Sequence, residues 1–312
     1  MNRSLPLVRL LDRRTRALRR QLAAAVEGKD TGVHQARVAS RRLREAIPVL
    51  TEGLNHTKAA KAQRKIRRLT QALGTVRELD VTLVVIDELA ERPAVPRAAL
   101  AEVRALVIEE REARRKLMLA RLEHVNAEKL GRRLHAVKQS LMQPTTGHAW
   151  RAALALRIAQ RGRRLEKAID DAGQIYAAEG LHQVRLAAKK MRYALEIADE
   201  SGAAPCPDTL RLIKRVQDAL GRLHDLQVLH HHVAAVGAAP RKGRSTPDAG
   251  LAVLSRLIED ECRHLHGKYV AAMPALRTAV EAARRDIPVR LTPRRRSVKM
   301  GLAARKRRAA GG

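Results

Sequence analysis

The stretch HQARVASRRLREA at residues 34–46 returns as HQVRLAAKKMRYA at residues 182–194, an offset of 148. Both copies read as helix, because apolar residues recur at spacings of three and four. At 100° per residue, His34, Arg37, Arg41 and Arg44 share one narrow sector, with Arg42 at its edge. Ala36, Leu43, Ala46, Ile47 and Leu50 fall on the opposite side. In the second copy His182, Arg185, Lys189 and Arg192 form the stripe, with Lys190 at its edge, and Val184, Met191, Ala194 and Leu195 the apolar face. Neither stripe contains a carboxylate. Like charges three and four residues apart repel by a few tenths of a kcal/mol per pair, ~0.2–0.5. A bound multivalent anion turns that penalty into attraction.

The repeat extends in both directions. At the same offset Arg9, Arg13 and Arg16 match Arg157, Arg161 and Arg164. Downstream, IRRLTQALGTVRELD (66–80) matches IKRVQDALGRLHDLQ (213–227) at offset 147, so Arg64, Arg67 and Arg68 answer to Arg211, Lys214 and Arg215. Position 77 is Arg where the second copy has His224. The chain therefore reads as two tandem halves, residues 1–142 and 148–289, followed by an acid-free basic segment, 290–312, expected to be disordered. Helices are expected over 4–27, 31–53, 57–91, 95–140, 149–173, 178–202, 207–237 and 248–285, four to each half. The break at 143–147 and the loop at 240–250 separate them. The fold class is all-α, as two four-helix bundles. An Arg-rich amphipathic N-terminus also suits a mitochondrial presequence, but its counterpart near Arg157 assigns it to the fold.

The whole composition agrees. With 63 Lys plus Arg against 32 Asp plus Glu, the formal charge is +31, which gathers polyanions around the surface. At 45% hydrophobic residues the chain can bury a core. Aromatic residues are one Trp, three Tyr and no Phe, too few for the stacking platforms that read single-stranded nucleic acid. Cys206 and Cys262 are too few for a disulfide framework and suit a reducing compartment. No apolar run approaches the roughly 20 residues of a membrane span, so no membrane partner is expected.

The pattern H-x-x-R-x-x-x-[RK]-[RK]-x-R, present twice and each time followed by an ALG…[RH]-[ED]-L segment, resembles the CHAD domain, the conserved-histidine α-helical domain. The resemblance covers roughly residues 4–285. It implies two four-helix bundles related by an internal pseudo-twofold, binding of inorganic polyphosphate, and a cytoplasmic location on polyphosphate granules alongside granule proteins. By that resemblance His34, Arg37, Arg41, Arg42 and Arg44, with His182, Arg185, Lys189, Lys190 and Arg192, line the polyphosphate site. The stripes of the first and third helices of each half extend it into a groove or channel. Lys at 189 and 190 keeps the charge but loses the bidentate fork of arginine.

Catalytic motifs are missing. There is no G-x-x-x-x-G-K-[ST] phosphate loop, no G-x-S-x-G, and no E-x-E-x-K signature of the triphosphate-tunnel domain that some CHAD proteins carry. The expectation is a binder that is not an enzyme and uses no cofactor. The run His230-His231-His232, near His224 and Asp225, is read as an exposed cluster rather than a metal centre. Trp150 is read as capping a bundle end. The alternative partner is DNA or RNA, held non-specifically by the same surface and the basic segment.

Overall fold

The computed structural model describes residues 5–27, 30–52, 54, 56–142, 149–239 and 248–292. Among them there are ten helices and no strand: α1 (Leu5–Val26), α2 (Asp30–Leu50), α3 (His56–Ala72), α4 (Gly74–Ala90), α5 (Arg97–Glu123), α6 (Ala127–Leu141), α7 (Ala149–Ala172), α8 (Ala178–Glu200), α9 (Pro207–Ala238) and α10 (Ala249–Leu291). The fold is all-α, as the periodicity predicts.

The helix boundaries follow local chemistry. Gly202, at φ 66°, ends α8 in a left-handed cap: its N–H donates to Asp199 O at 2.9 Å, and Ala203 N–H donates to Ala198 O at 3.2 Å. Asp248 opens α10 by accepting from Gly250 N and Leu251 N at 2.8 and 3.2 Å. The segments 143–147 and 240–247, read as breaks, and 293–312 lie outside the described residues. Arg290 and Leu291, placed in the basic segment by the sequence, belong to α10.

Two helices expected in one piece are broken. The 57–91 segment parts at Leu73 into α3 and α4, and the 95–140 segment parts at residues 124–126 into α5 and α6. Asn126 explains the second break: its side chain accepts from Lys129 N at 2.6 Å and restarts the helix. The second repeat stays continuous in both places. α9 runs through Gly221, the match of Gly74, so glycine alone does not cause the first break. α10 runs through Pro274.

α1 packs along α2, α3 lies between α2 and α6, and α4 pairs with α5. In the second repeat α7 packs on α8 and α10, and α9 on both α8 and α10. The repeats meet where α2 touches α7 and α8, and where α4 and α5 lie against α9. One continuous apolar core runs through all of this, from Leu10 and Leu43 through Ile86 to Leu195, Leu226 and Leu276, each almost wholly buried. Trp150 is buried in that core at 3% exposure, with Arg151 over its ring at 5.3 Å. No described helix is long and apolar enough to cross a membrane.

Candidate anion-binding site

The apolar faces of α2 and α8 enter the core, and this turns their cationic stripes toward each other. Val33, Ala36, Leu43 and Ile47 are buried on α2, as are Leu181, Val184, Ala188 and Met191 on α8. Between the helices lies a cleft of about 270 Å³. His34, Arg37 and Arg41 line it from α2, and Arg185 and Lys189 from α8. α4 adds Gly74, Arg77 and Glu78, and α9 adds His224 and Asp225. His182 packs its ring against His224, with centroids 5.1 Å apart. Six residues of the repeated motif thus come together from two segments 148 positions apart.

The electrostatics of this cleft are unfavourable as it stands. Among the described residues, none of the side chains of Arg37, Arg41, Arg77, Arg185 and Lys189 makes an ion pair within 4.0 Å or a hydrogen bond. Arg37 Nε is buried with no partner. The Arg37 guanidinium lies over Gly74, where a Cβ would meet it at 3.6 Å. Burial, and then the charge of Arg41, hold Arg37 down to about 10. Burial and the crowd of Arg185, Arg41, Arg37 and Arg192 bring the Lys189 ammonium to about 7. Burial also lowers Arg185 and Arg77, against the pull of Asp225 on both. His34 is lowered by burial, Arg77 and Arg37, and His224 falls to about 4 through burial, Arg185 and His182. Asp225 is raised by burial in spite of its arginine neighbours. Every cation whose affinity for protons shifts here shifts downward. That is the signature of a site in which positive charge outweighs its local compensation.

Other motif residues stand elsewhere, for a reason the stripe geometry did not reveal. Carboxylates hold them, several reaching across from the neighbouring repeat. Arg42 meets Glu196 through two bonds of 3.2 Å, and that contact outweighs burial to raise its pKa. Arg192 bonds Glu196 at 2.5 Å and Gln217 at 2.7 Å. Glu200 takes Arg13 at 2.8 Å and the almost fully buried Arg14 at 3.0 Å. Glu45 takes Arg161 at 2.7 Å and Arg157 at 3.6 Å. Arg44 lies 3.6 Å from Glu45. The matching carbonyls of the two repeats each accept from an arginine: Arg14 Nη1 donates to Arg42 O at 2.7 Å and Arg161 Nη1 to Lys190 O at 3.0 Å. Much of the α1 and α7 basic stripes therefore joins the repeats instead of standing free.

Several of these residues also border two further clefts beside α2 and α8. One, of about 260 Å³, is lined by Arg13, Arg14, Arg20 and Arg42. The other, of about 310 Å³, is lined by Arg161, Arg164, Lys167 and Lys190. Val38 lines both the first of these and the central cleft. Arg9 and Arg16 are exposed on α1, Arg64, Arg67 and Arg68 on α3, and Arg211, Lys214 and Arg215 on α9. Arg211 pairs with Asp208, and Lys214 with Asp218 at 2.6 Å.

Four charged or polar cleft residues were not assigned to the site from the sequence: Arg77, Glu78, His224 and Asp225. The repeated [RH]-[ED] step at 77–78 and 224–225 was the available signal. The histidine run is dispersed, with His230 near Glu259 at 3.6 Å and His232 near Glu110 at 4.0 Å. Among the described residues no three His, Cys, Asp or Glu side chains gather as a metal-holding group.

Comparison with known proteins gives a consistent picture. A family model described as the CHAD domain matches residues 9–234. The crystal structure of the CHAD domain from the plant Ricinus communis is 24% identical; the match covers 90% of this chain and 92% of that one, with a TM-score of 0.61. PptA from Streptomyces chartreusis is 19% identical over 90% of this chain and 100% of its own, with a TM-score of 0.52. At these identities the likeness is one of fold. No curated protein matches the sequence.

Proposed function

Since the chain belongs to the CHAD domain family, we propose that its central cleft binds inorganic polyphosphate, holding the chain without hydrolysing it. The observation that carries this reading is the convergence of five cations, Arg37, Arg41, Arg77, Arg185 and Lys189, without ion-pair partners, in one narrow cleft. Guanidinium groups offer forked donors to phosphate oxygens, and Lys189 adds a point charge. His34 and His224, kept neutral by their surroundings, each donate one N–H.

The shape of the site favours a slim, unbranched anion. Duplex DNA carries its phosphates on the outside of a wide cylinder and meets proteins through protruding helices. Here the cations recede between helices. A single nucleic-acid strand needs aromatic stacking surfaces, and no Trp, Tyr or Phe lines the cleft. Association with polyphosphate granules follows from the same reading, as the place where such a binder collects.

Calorimetric titration with length-defined polyphosphate, in competition with duplex DNA at fixed salt, tests it. Affinity rises with chain length until the cleft and its flanks are filled. If five phosphates are neutralised, the logarithm of the binding constant falls with the logarithm of salt with a slope of roughly −3.5. Arg37→Glu with Arg185→Glu removes two charged contacts, costing about 3 kcal/mol or more, a hundredfold or greater loss. Helicity survives, because the change relieves repulsion. Equal affinity for short and long chains, displacement by DNA phosphate for phosphate, or undiminished binding by the double variant each refutes the proposal.

A further inference from the structure

α3 carries six Lys and Arg and no Asp or Glu in its 17 residues. Its matching segment in the second repeat does not. Lys61 corresponds to Asp208 and Gln71 to Asp218, and these two acids pair with Arg211 and Lys214 on α9. The second repeat thus compensates a surface that the first leaves charged. α6 increases the excess. Lys129 and Arg133 stand beside Lys65, and together with Arg68 they lower its pKa, after burial. Arg133 is drawn over α3 by a 3.4 Å bond from Nη1 to Lys61 O. On α6, Glu128 meets Arg132 at 3.6 Å, both widely exposed, and Lys138 meets Asp12 of α1 at 2.7 Å. Four α3 cations, at 58, 61, 65 and 68, follow one another at spacings of three and four. They run about 15 Å along the helix. No α3 or α6 residue lines the central cleft.

We propose that the outer surface of α3 and α6 is a second docking face for inorganic polyphosphate, so that one molecule holds two segments of the polymer at once. This rests on the cleft being a polyphosphate site. The face is open and built of long side chains, with Lys58, Lys61, Arg68 and Lys129 exposed and Lys65 and Arg133 half-buried, so it holds its ligand loosely. The cleft supplies the anchored contact. Two sites on one rigid body turn a binder into a cross-linker, since a long polymer captured in the cleft of one molecule reaches the α3–α6 face of another.

The test transfers the second repeat's own solution to the first. Lys61→Asp with Gln71→Asp gives α3 the acid positions of α9, a pattern already accommodated by this fold. A chain short enough to occupy only the cleft binds this variant as tightly as the wild type. Long polyphosphate, which the wild type condenses into scattering assemblies at intermediate protein-to-polymer ratio, binds about tenfold more weakly and no longer condenses. A control of equal charge change away from the face, Lys116→Asp with Gln160→Asp, condenses like the wild type.

Condensation by the Lys61/Gln71 variant at wild-type level overturns the proposal. So does equal loss in the control, which makes the effect one of bulk charge. Loss of duplex DNA retention with polyphosphate condensation intact assigns the face to nucleic acid and overturns it as well. Failure of the wild type to bind the short chain is a separate result, and it refutes the reading of the cleft.

Discussion

Lys189 concentrates the conflict on which the cleft depends. Its ammonium sits at about 7 when free lysine sits at 10.5, so the unfolded chain holds its proton more tightly than the folded one. Below pH 7 the lysine is charged in both states and the folded state bears the whole penalty. Between 7 and 10.5 the unfolded chain binds the extra proton, so folding stability rises with pH across that window. Lys189→Met removes the penalty. The variant therefore melts above the wild type at pH 6, and its advantage shrinks as the pH climbs toward 10.5, measured by calorimetry. Polyphosphate reverses the sign, because a bound anion favours the charged lysine. Wild-type binding takes up a proton and weakens as pH rises above 7, whereas the Met variant binds more weakly and loses that slope. An unchanged melting profile means that Lys189 is already compensated. At this scale the sequence was informative about which cations share a face, since helical angle follows from residue number. It was silent on their partners. Glu196 is legible as the i+4 neighbour of Arg192, but its grip on Arg42 and the grip of Glu45 on Arg161 depend on packing between segments more than a hundred positions apart.

Among the elements, the helix breaks separate what periodicity can tell from what it cannot. Apolar residues at spacings of three and four continue through 57–91 and 95–140, and this is why single helices are expected there. Asn126, followed by Ala127 and Glu128, is an N-cap signature that the apolar pattern hides. Pro274, a residue that usually ends helices, sits inside α10 near the position matching Asn126 in the other repeat. Propensity at one residue is a weak prior, and tertiary packing against α7 and α9 overrides it. The Asn126 cap is exposed and makes one side-chain bond, so Asn126→Ala costs about 1 kcal/mol in chemical denaturation. It leaves affinity for short polyphosphate unchanged, since α6 lies outside the cleft. A loss well above that figure means that the α5–α6 junction is held by more than its cap.

For the molecule as a whole, the cleft exists because two mutually repelling surfaces are held together at their edges. Glu200 binds Arg13 and Arg14 across the repeat boundary, and Glu45 binds Arg157 and Arg161 across it in the other direction. Burial alone raises the pKa of Glu200, but Arg14 and Arg13 overcome this and keep it below the ordinary carboxylate value. The pair's stabilisation is therefore present above the unfolded carboxylate pKa near 4.5 and fades as pH falls below it. Glu200→Ala leaves Arg14, 4% exposed, as a buried charge with only the Arg42 carbonyl to receive it. The expected loss is about 3 kcal/mol at pH 7. A polyanion spanning the cleft contacts α2 and α8 together and so acts as the missing bond between repeats. At a concentration a hundredfold above its dissociation constant it returns about 2.7 kcal/mol. The melting temperature of Glu200→Ala therefore falls in buffer and recovers most of the way with long polyphosphate, and recovery fails when Arg37→Glu and Arg185→Glu are added. If ligand stabilises the Glu200 variant no more than it does the cleft-dead triple variant, the polymer does not bridge the repeats, and the cleft is not where it sits.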